Sequence, residues 1–287
     1  MTTQHNLSAT LWSKLGLGTG TLASLGRAAK ITDVRQIISS MLDCSAKVID
    51  TADTYGSGDC ERLLGRVLRE ERDAFTLVTK AGYRHANLPG PLGPLNQVIK
   101  KGIQRFVKKP NFDPTYLVAC LDNSLARLKT DRVEAFLLHD ASLESVTDES
   151  VLSECVKFRK SGKTRLVGIS SESPEVLSAA IASGVFSVIE SPANLMVIEA
   201  MRPVWQEAEA RGIHVIGNHV FSPTCLRLPG ITHEQLMRAS VALLPKSSTV
   251  LCGTRNSRHF TQTNEWANDP LPSVEAEKLL FNLGNLI

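Results

Sequence analysis

The sequence predicts a (β/α)8 barrel, eight parallel strands closed into a cylinder and wrapped by eight helices. Three observations predict it. Short, almost wholly apolar β-rich runs alternate along the chain with stretches whose apolar residues recur at helical spacing. The alternation counts to eight. Three successive strands each end on an ionisable residue, Asp50, Lys80 and His139, the position from which barrels project functional groups. A chain of 287 residues is of the size such barrels reach as one unit, so residues 1–287 are read as one domain.

Residues 1–13 are polar apart from Leu11 and Trp12 and read as a loose arm. Lys14–Gly20 is a first buried strand whose glycines mark close backbone approach. Their spacing, at 16, 18 and 20, does not fit a dinucleotide-binding glycine loop. A helix follows with Val34, Ile37, Ile38, Met41 and Leu42 on one side and Thr32 or Asp33 as its cap. Strand 47–50, a helix bearing Leu63, Leu64, Val67 and Leu68, and strand 75–80 come next.

The 81–112 connection is too long for a simple turn and reads as an insertion over the barrel mouth. Within it Leu95, Val98, Ile99, Ile103 and Phe106 mark a helix whose other face carries Lys100, Lys101, Arg105, Lys108 and Lys109. That face is either solvated or a basic surface that steers an anionic substrate. Asp113-Pro114 caps the next helix, with Leu117, Cys120, Leu121, Ser124, Leu125 and Leu128 on its buried side. Strand 133–138, a helix near 149–160, strand 165–170 and a helix opened by Ser173-Pro174 continue the pattern. Strand 186–190, a helix over 198–211 stopped by Gly212, strand 213–218 and a helix over 233–243 follow. Strand 248–252, a helix after Gly253 and an amphipathic tail with Val274, Leu279, Leu280 and Leu283 complete it. With little chain after the eighth strand, the pocket is expected to stand open.

Composition excludes several classes. A net charge of +3 without a long basic block argues against nucleic acid as a partner. Apolar runs are too short for a membrane span, and the start lacks a basic segment leading into an apolar one, so a cytoplasmic protein is expected. The six cysteines form no C-x-x-C pair and read as reduced core residues.

The chemistry follows from residue types. Tyr55 lies on the loop five residues past Asp50, over the same mouth as Lys80 and His139. A phenol of ordinary pKa about 10 is a poor proton donor near neutrality, and a neighbouring ammonium stabilises the phenolate. Lys80 supplies that charge, Asp50 holds the ammonium, and His139 orients a substrate oxygen. Such a group protonates an oxygen as charge builds on it. Neither a nucleophile–base pair nor a metal-ligand pattern is present in the sequence, so hydride from a nicotinamide is the natural partner. Two rivals use the same barrel: a Schiff-base aldolase working through Lys80, and a cofactor-binding sensor or interaction subunit.

At these residues the chain resembles the aldo-keto reductase superfamily over nearly its whole length. Asp50-Thr51-Ala52 with Tyr55, then Gly58, Glu61, Leu64 and Gly65, is similar to that family's aspartate–tyrosine signature. Lys80 after Val78-Thr79 and His139 after Leu137-Leu138 match its other two catalytic positions. The resemblance implies Tyr55 as general acid/base, Lys80 and Asp50 as its tuning pair, and His139 as the group that orients the carbonyl. Where the family holds the nicotinamide carboxamide with a Ser-Asn pair and a glutamine, this chain has Ser170, Ser171 and Glu190. Phe221 stands at the stacking aromatic, and Asn194 at a further loop position. Gly253, Thr254, Arg255, Arg258 and His259 are similar to the phosphate-binding element, with Thr263 or Asn264 where an asparagine is common. A strand end before a helix N-terminus suits a phosphate, and Arg255 or Arg258 suits a 2′-phosphate. NADP(H) is expected, with NAD(H) as the alternative. The partner is a small carbonyl or alcohol, walled by residues 20–30, 81–112, 140–145 and 222–230.

Overall fold

Eight strands run parallel, and each is hydrogen-bonded to its sequence neighbours: β1 (Leu15–Gly18), β2 (Val48–Asp50), β3 (Thr76–Ala81), β4 (Val133–His139), β5 (Thr164–Ser170), β6 (Val188–Pro192), β7 (His214–Asn218) and β8 (Thr249–Cys252). β8 pairs with β1, closing the predicted barrel. The computed structural model describes residues 11–23, 29–83, 110–227 and 230–284. The expected basic helix near 95–106, and with it the steering surface, lies outside the described residues, as do residues 1–10 of the expected arm.

The outer layer is α1 (Ile31–Asp43), α2 (Asp59–Val67), α3 (Pro114–Leu128), α4 (Leu143–Thr147), α5 (Glu149–Lys160), α6 (Pro174–Ser183), α7 (Ile198–Ala210), α8 (His233–Leu243), α9 (Ser257–Asn268) and α10 (Ser273–Gly284). Predicted caps hold at two of them. Asp113 accepts the N–H groups of Thr115 and Tyr116 at the start of α3, and Ser173 accepts that of Val176 in α6. Those bonds satisfy donors that a helix start leaves open.

Three details differ from expectation. Thr32 and Asp33 lie inside α1, which begins after Lys30 without a side-chain cap. Leu42 is 42% exposed because Val34, Ile37, Ile38 and Met41 already fill the inward stripe. α10 buries Ala276, Leu280 and Leu283, which recur at i, i+4 and i+7 and leave Val274 outside, 80% exposed. α4 is also new; a reciprocal Ser142–Ser145 capping box, without a long apolar period, starts it.

Within the barrel, strand alternation sorts side chains into storeys. Val48, Val78, Ala135, Leu137, Val188, Ile216 and Leu251 form a dry inner cluster. Beneath it Trp12 stacks on His214, with centroids 3.9 Å apart, and packs against the inner cluster at the strands' N-terminal ends. Gly168 belongs to this interior because a Cβ there would meet the Val188 carbonyl oxygen at 2.2 Å. Two residues further along the same faces, the storey above is polar: Asp50 follows Val48, Lys80 follows Val78, His139 follows Leu137 and Glu190 follows Val188. No described helix is long and apolar enough to cross a membrane.

Candidate active site

Register sets the polar storey at the C-terminal ends of the strands. Asp50 lies opposite Val78, Lys80 opposite Leu137, His139 opposite Ser170, and Ser170 opposite Glu190. Since inward positions recur every second residue, these side chains converge where the strands end.

Lys80 is fully buried, and its ammonium forms an ion pair with Asp50. It also donates to the Thr51 carbonyl oxygen at 3.3 Å. A second carboxylate reaches it: Glu190 Oε2 lies 3.1 Å from Lys80 Nζ. The other Glu190 oxygen accepts a 2.7 Å hydrogen bond from Asn218 Nδ2. The Lys80 ammonium stands 5.6 Å from the centroid of the Tyr55 ring. His139 meets that ring edge to face, centroids 6.0 Å apart, and meets Tyr83 in the same way at 5.7 Å. Tyr83 in turn donates to Asp140 at 2.6 Å.

The loop that carries Tyr55 is anchored from below. Gly58 takes a left-handed φ of 85°, and a Cβ there would lie 2.6 Å from Arg127 Cδ. Arg127 pairs with the buried Glu61 at 2.6 Å, and Glu61 accepts from Thr79 at 2.7 Å, one residue before Lys80. One buried network therefore ties the tyrosine loop to the lysine strand.

These surroundings decide the protonation states. The Lys80 charge pulls the Tyr55 phenol down most strongly, yet burial and the Asp50 and Glu190 carboxylates outweigh it, and the phenol lies above its ordinary value. The ammonium thus acts in the expected direction, but burial first, then Asp50 and Glu190, leave the phenol raised overall. Burial works against the Lys80 ammonium, but Asp50 and Glu190 hold it charged and above its ordinary value. Burial, then the charge of Glu190, pushes the Asp50 carboxyl well up. Burial also opposes the Glu190 carboxylate, but Lys80 and the Asn218 amide outweigh it and keep it below the usual range. Burial, then the Lys80 charge, pushes His139 down to about 4, so its imidazole is neutral near pH 7.

The expected cofactor positions divide. Ser170 and Ser171 are buried beside this storey, and the Ser171 hydroxyl accepts from the Ser173 N–H. Glu190, expected to meet the carboxamide, has its oxygens on Lys80 and Asn218. Half-buried Phe221 lines a cavity of about 390 Å³ with Glu172, Pro192, Asn194 and His219. Asn194 itself turns to its own loop, accepting from Met196 N–H at 3.1 Å, as a strand-end amide does. Past Gly253 and Thr254, Arg255 reaches the Leu22 carbonyl oxygen at 3.4 Å, and its buried Nε has no partner among the described residues. Arg258 and His259 are exposed at the start of α9, where Asn256 accepts both of their N–H groups. Thr263 is buried, and its hydroxyl donates to the His259 carbonyl oxygen at 2.7 Å. Parts of the expected pocket walls, residues 24–28, 84–109 and 228–229, lie outside the described residues.

Sequence reasoning missed Asn218 and Tyr83. Asn218 is the last residue of β7, but an amide is not ionisable, so the strand-end signal that selected Asp50, Lys80 and His139 passed over it. Tyr83 follows Lys80 by three residues, but nothing local marks its contact with His139.

The family model described as the aldo/keto reductase family matches residues 14–235. L-glyceraldehyde 3-phosphate reductase of Escherichia coli is 33% identical over 165 residues, covering 55% of this chain and 42% of that protein. The 6-dehydroglucose reductase of Novosphingobium aromaticivorans is 32% identical over 178 residues, covering 58% and 50%. These matches thus span half or less of either relative. Among solved structures, an aldo-keto reductase of Bacillus halodurans in its holo form superposes with a TM-score of 0.73 at 21% identity, over 94% of this chain and 92% of that one. That likeness concerns the fold.

Proposed function

The chain belongs to the aldo/keto reductase family, and on that premise we propose that it transfers hydride between NADP(H) and a small aldehyde, ketone or sugar. The observation that carries the proposal is the buried Lys80 ammonium beneath the Tyr55 ring, with neutral His139 against that ring's edge. When bound, the nicotinamide supplies the hydride. Tyr55 holds the proton that a carbonyl oxygen takes as it becomes an alcohol, and takes it back in the reverse direction. Lys80 stabilises the phenolate left behind, and Asp50 keeps Lys80 in place. His139 presents one N–H to the substrate oxygen and orients it.

The residues present fit such a cofactor. Arg255 offers a buried, unpartnered Nε, and exposed Arg258 and His259 stand beside it for a 2′-phosphate. Ser170 and Ser171 border the polar storey, and Phe221 offers a flat face. Relatives named for a triose phosphate and a dehydroglucose support short aldehydes and sugars as substrates. All six cysteines are free and five are buried, which suits work in the cytoplasm. The aldolase alternative fares worse, since a Schiff base needs a neutral amine and two carboxylates hold Lys80 charged.

The test is a tryptophan-fluorescence titration with NADPH and NADH in parallel, followed by turnover on a carbonyl panel. Saturable quenching, tighter for NADPH, with turnover of an aldehyde or sugar is expected. Lack of binding by either nucleotide overturns the assignment.

A further inference from the structure

Lys80 has more anionic partners than one ammonium needs. Asp50 arrives from β2 beside it, while Glu190 comes from β6, three strands round the barrel. Glu190 is 2% exposed, and its two oxygens are divided between Lys80 and Asn218. A glutamine in its place would keep the shape and the bond to Asn218 but bring no charge. Other groups facing Lys80 and Tyr55 add none. Cys60, in the first turn of α2, is a thiol pushed by burial up to about 11, and His139 on β4 is a neutral imidazole. Asp140, next to His139 in the chain, is bonded to Tyr83 and is not among the groups that act most on Tyr55 or Lys80. The local charge is therefore that of Lys80 set against Asp50 and Glu190.

We infer that Glu190 is a positioning residue that acts on Tyr55 through Lys80, neutralising the ammonium so that the phenol keeps its proton until the substrate oxygen takes it. The inference rests on the hydride-transfer reading and deepens it. A phenol held in its protonated form is ready as an acid for carbonyl reduction, whereas alcohol oxidation must first remove that proton. The site is thereby biased toward reduction near neutral pH, and the oxidation rate should rise with pH. The direction of the Tyr55 shift agrees, since Glu190 is one of the charges that raise it.

The test is Glu190→Gln in the full chain, read as kcat/KM for carbonyl reduction against pH. Removing one carboxylate from the ammonium should move the alkaline limb down by about one pH unit, the order that loss of a neighbouring charge gives. An unmoved limb overturns the inference, and if NADPH affinity has weakened tenfold as well, Glu190 belongs to the cofactor site instead. Asn218→Ala is the second variant. It removes the bond that fixes Glu190 against Lys80, so the charge is held less closely and the limb should move the same way by less; an unmoved limb there, with Glu190→Gln unable to fold, likewise counts against the inference. If no carbonyl is turned over even by the unaltered protein, the hydride-transfer reading fails on its own account. Phenol ionisation by ultraviolet difference absorbance then decides the Glu190 question. An ionisation at lower pH in Glu190→Gln that vanishes when Tyr55→Phe is added supports the coupling, and identical curves with and without Glu190 overturn it.

Discussion

Tyr55 and His139 meet edge to face across the barrel mouth, their ring centroids 6.0 Å apart and their planes at 85°. The contact joins a loop after β2 to the end of β4 and places a phenol beside a neutral imidazole. Tyr55→Phe keeps that packing and removes only the hydroxyl. Turnover should fall by roughly two to four orders of magnitude, the range for losing positioned acid–base catalysis. NADPH affinity, read by tryptophan fluorescence, should hold. Near-normal turnover would assign the proton to another group.

Two histidines, His214 buried and His139 half-buried, make the fold acid-sensitive. Burial, then the Lys80 charge, depresses His139 to about 4, and burial, then the Lys14 charge, depresses His214 to about 3. Each has a folded pKa below its unfolded value of about 6.5, so the unfolded chain binds more protons between the two. Stability is full above about pH 6.5 and is lost as pH falls toward those folded values, at about 1.4 kcal/mol per pH unit for each histidine. His214→Phe should flatten urea-melt stability between pH 6 and 4, roughly halving the slope. An unchanged slope would show that His214 charges freely in the folded state.

Asp53 works in the opposite direction. Burial, then the charge of Glu61, raises it to about 8, so the folded chain holds a proton that the unfolded chain has released above about pH 4. Its contribution is present below the unfolded value and is lost as pH rises toward 8, again at about 1.4 kcal/mol per unit. Asp53→Asn should remove that decline, gaining stability at pH 8 relative to pH 5 in paired urea melts. Parallel declines in both proteins would refute the shift.

The Glu61–Arg127 pair should be costly to break from one side. Both side chains are buried, and Arg127 also bonds Ser124. Arg127→Ala leaves a carboxylate without its cation, a loss of about 3–5 kcal/mol. Chemical denaturation measures it, and a loss below about 1 kcal/mol would place the pair in solvent. Since Glu61 also accepts from Thr79 beside Lys80, turnover should fall along with stability.

At the cofactor end, Arg255→Ala should weaken NADPH binding by roughly tenfold, one charge-assisted contact's worth, while NADH binding changes little. Equal losses for both nucleotides would place Arg255 at a phosphate that the two share, and no loss for either would remove it from the site.

How much of this was legible follows from which signals are local. Strand and helix periods depend on neighbours a few residues apart, so the alternation, the caps Asp113 and Ser173 and the strand-end residues Asp50, Lys80 and His139 could be read directly. Leu42 and Val274 could not be oriented, because the period locates a stripe but not which edge of it meets the barrel. Glu190 shows the deeper limit. Its residue type and strand were plain, yet its partner lies 110 residues away in sequence. Only closure of β6 and β3 into one cylinder brings the two together. Sequence by itself determined the barrel, the four groups at its mouth and the chemistry they suit. Tertiary structure alone decided that a second carboxylate faces the lysine beside Tyr55. A buried charge acts through space on whatever closure sets beside it, and chain order carries no record of that distance.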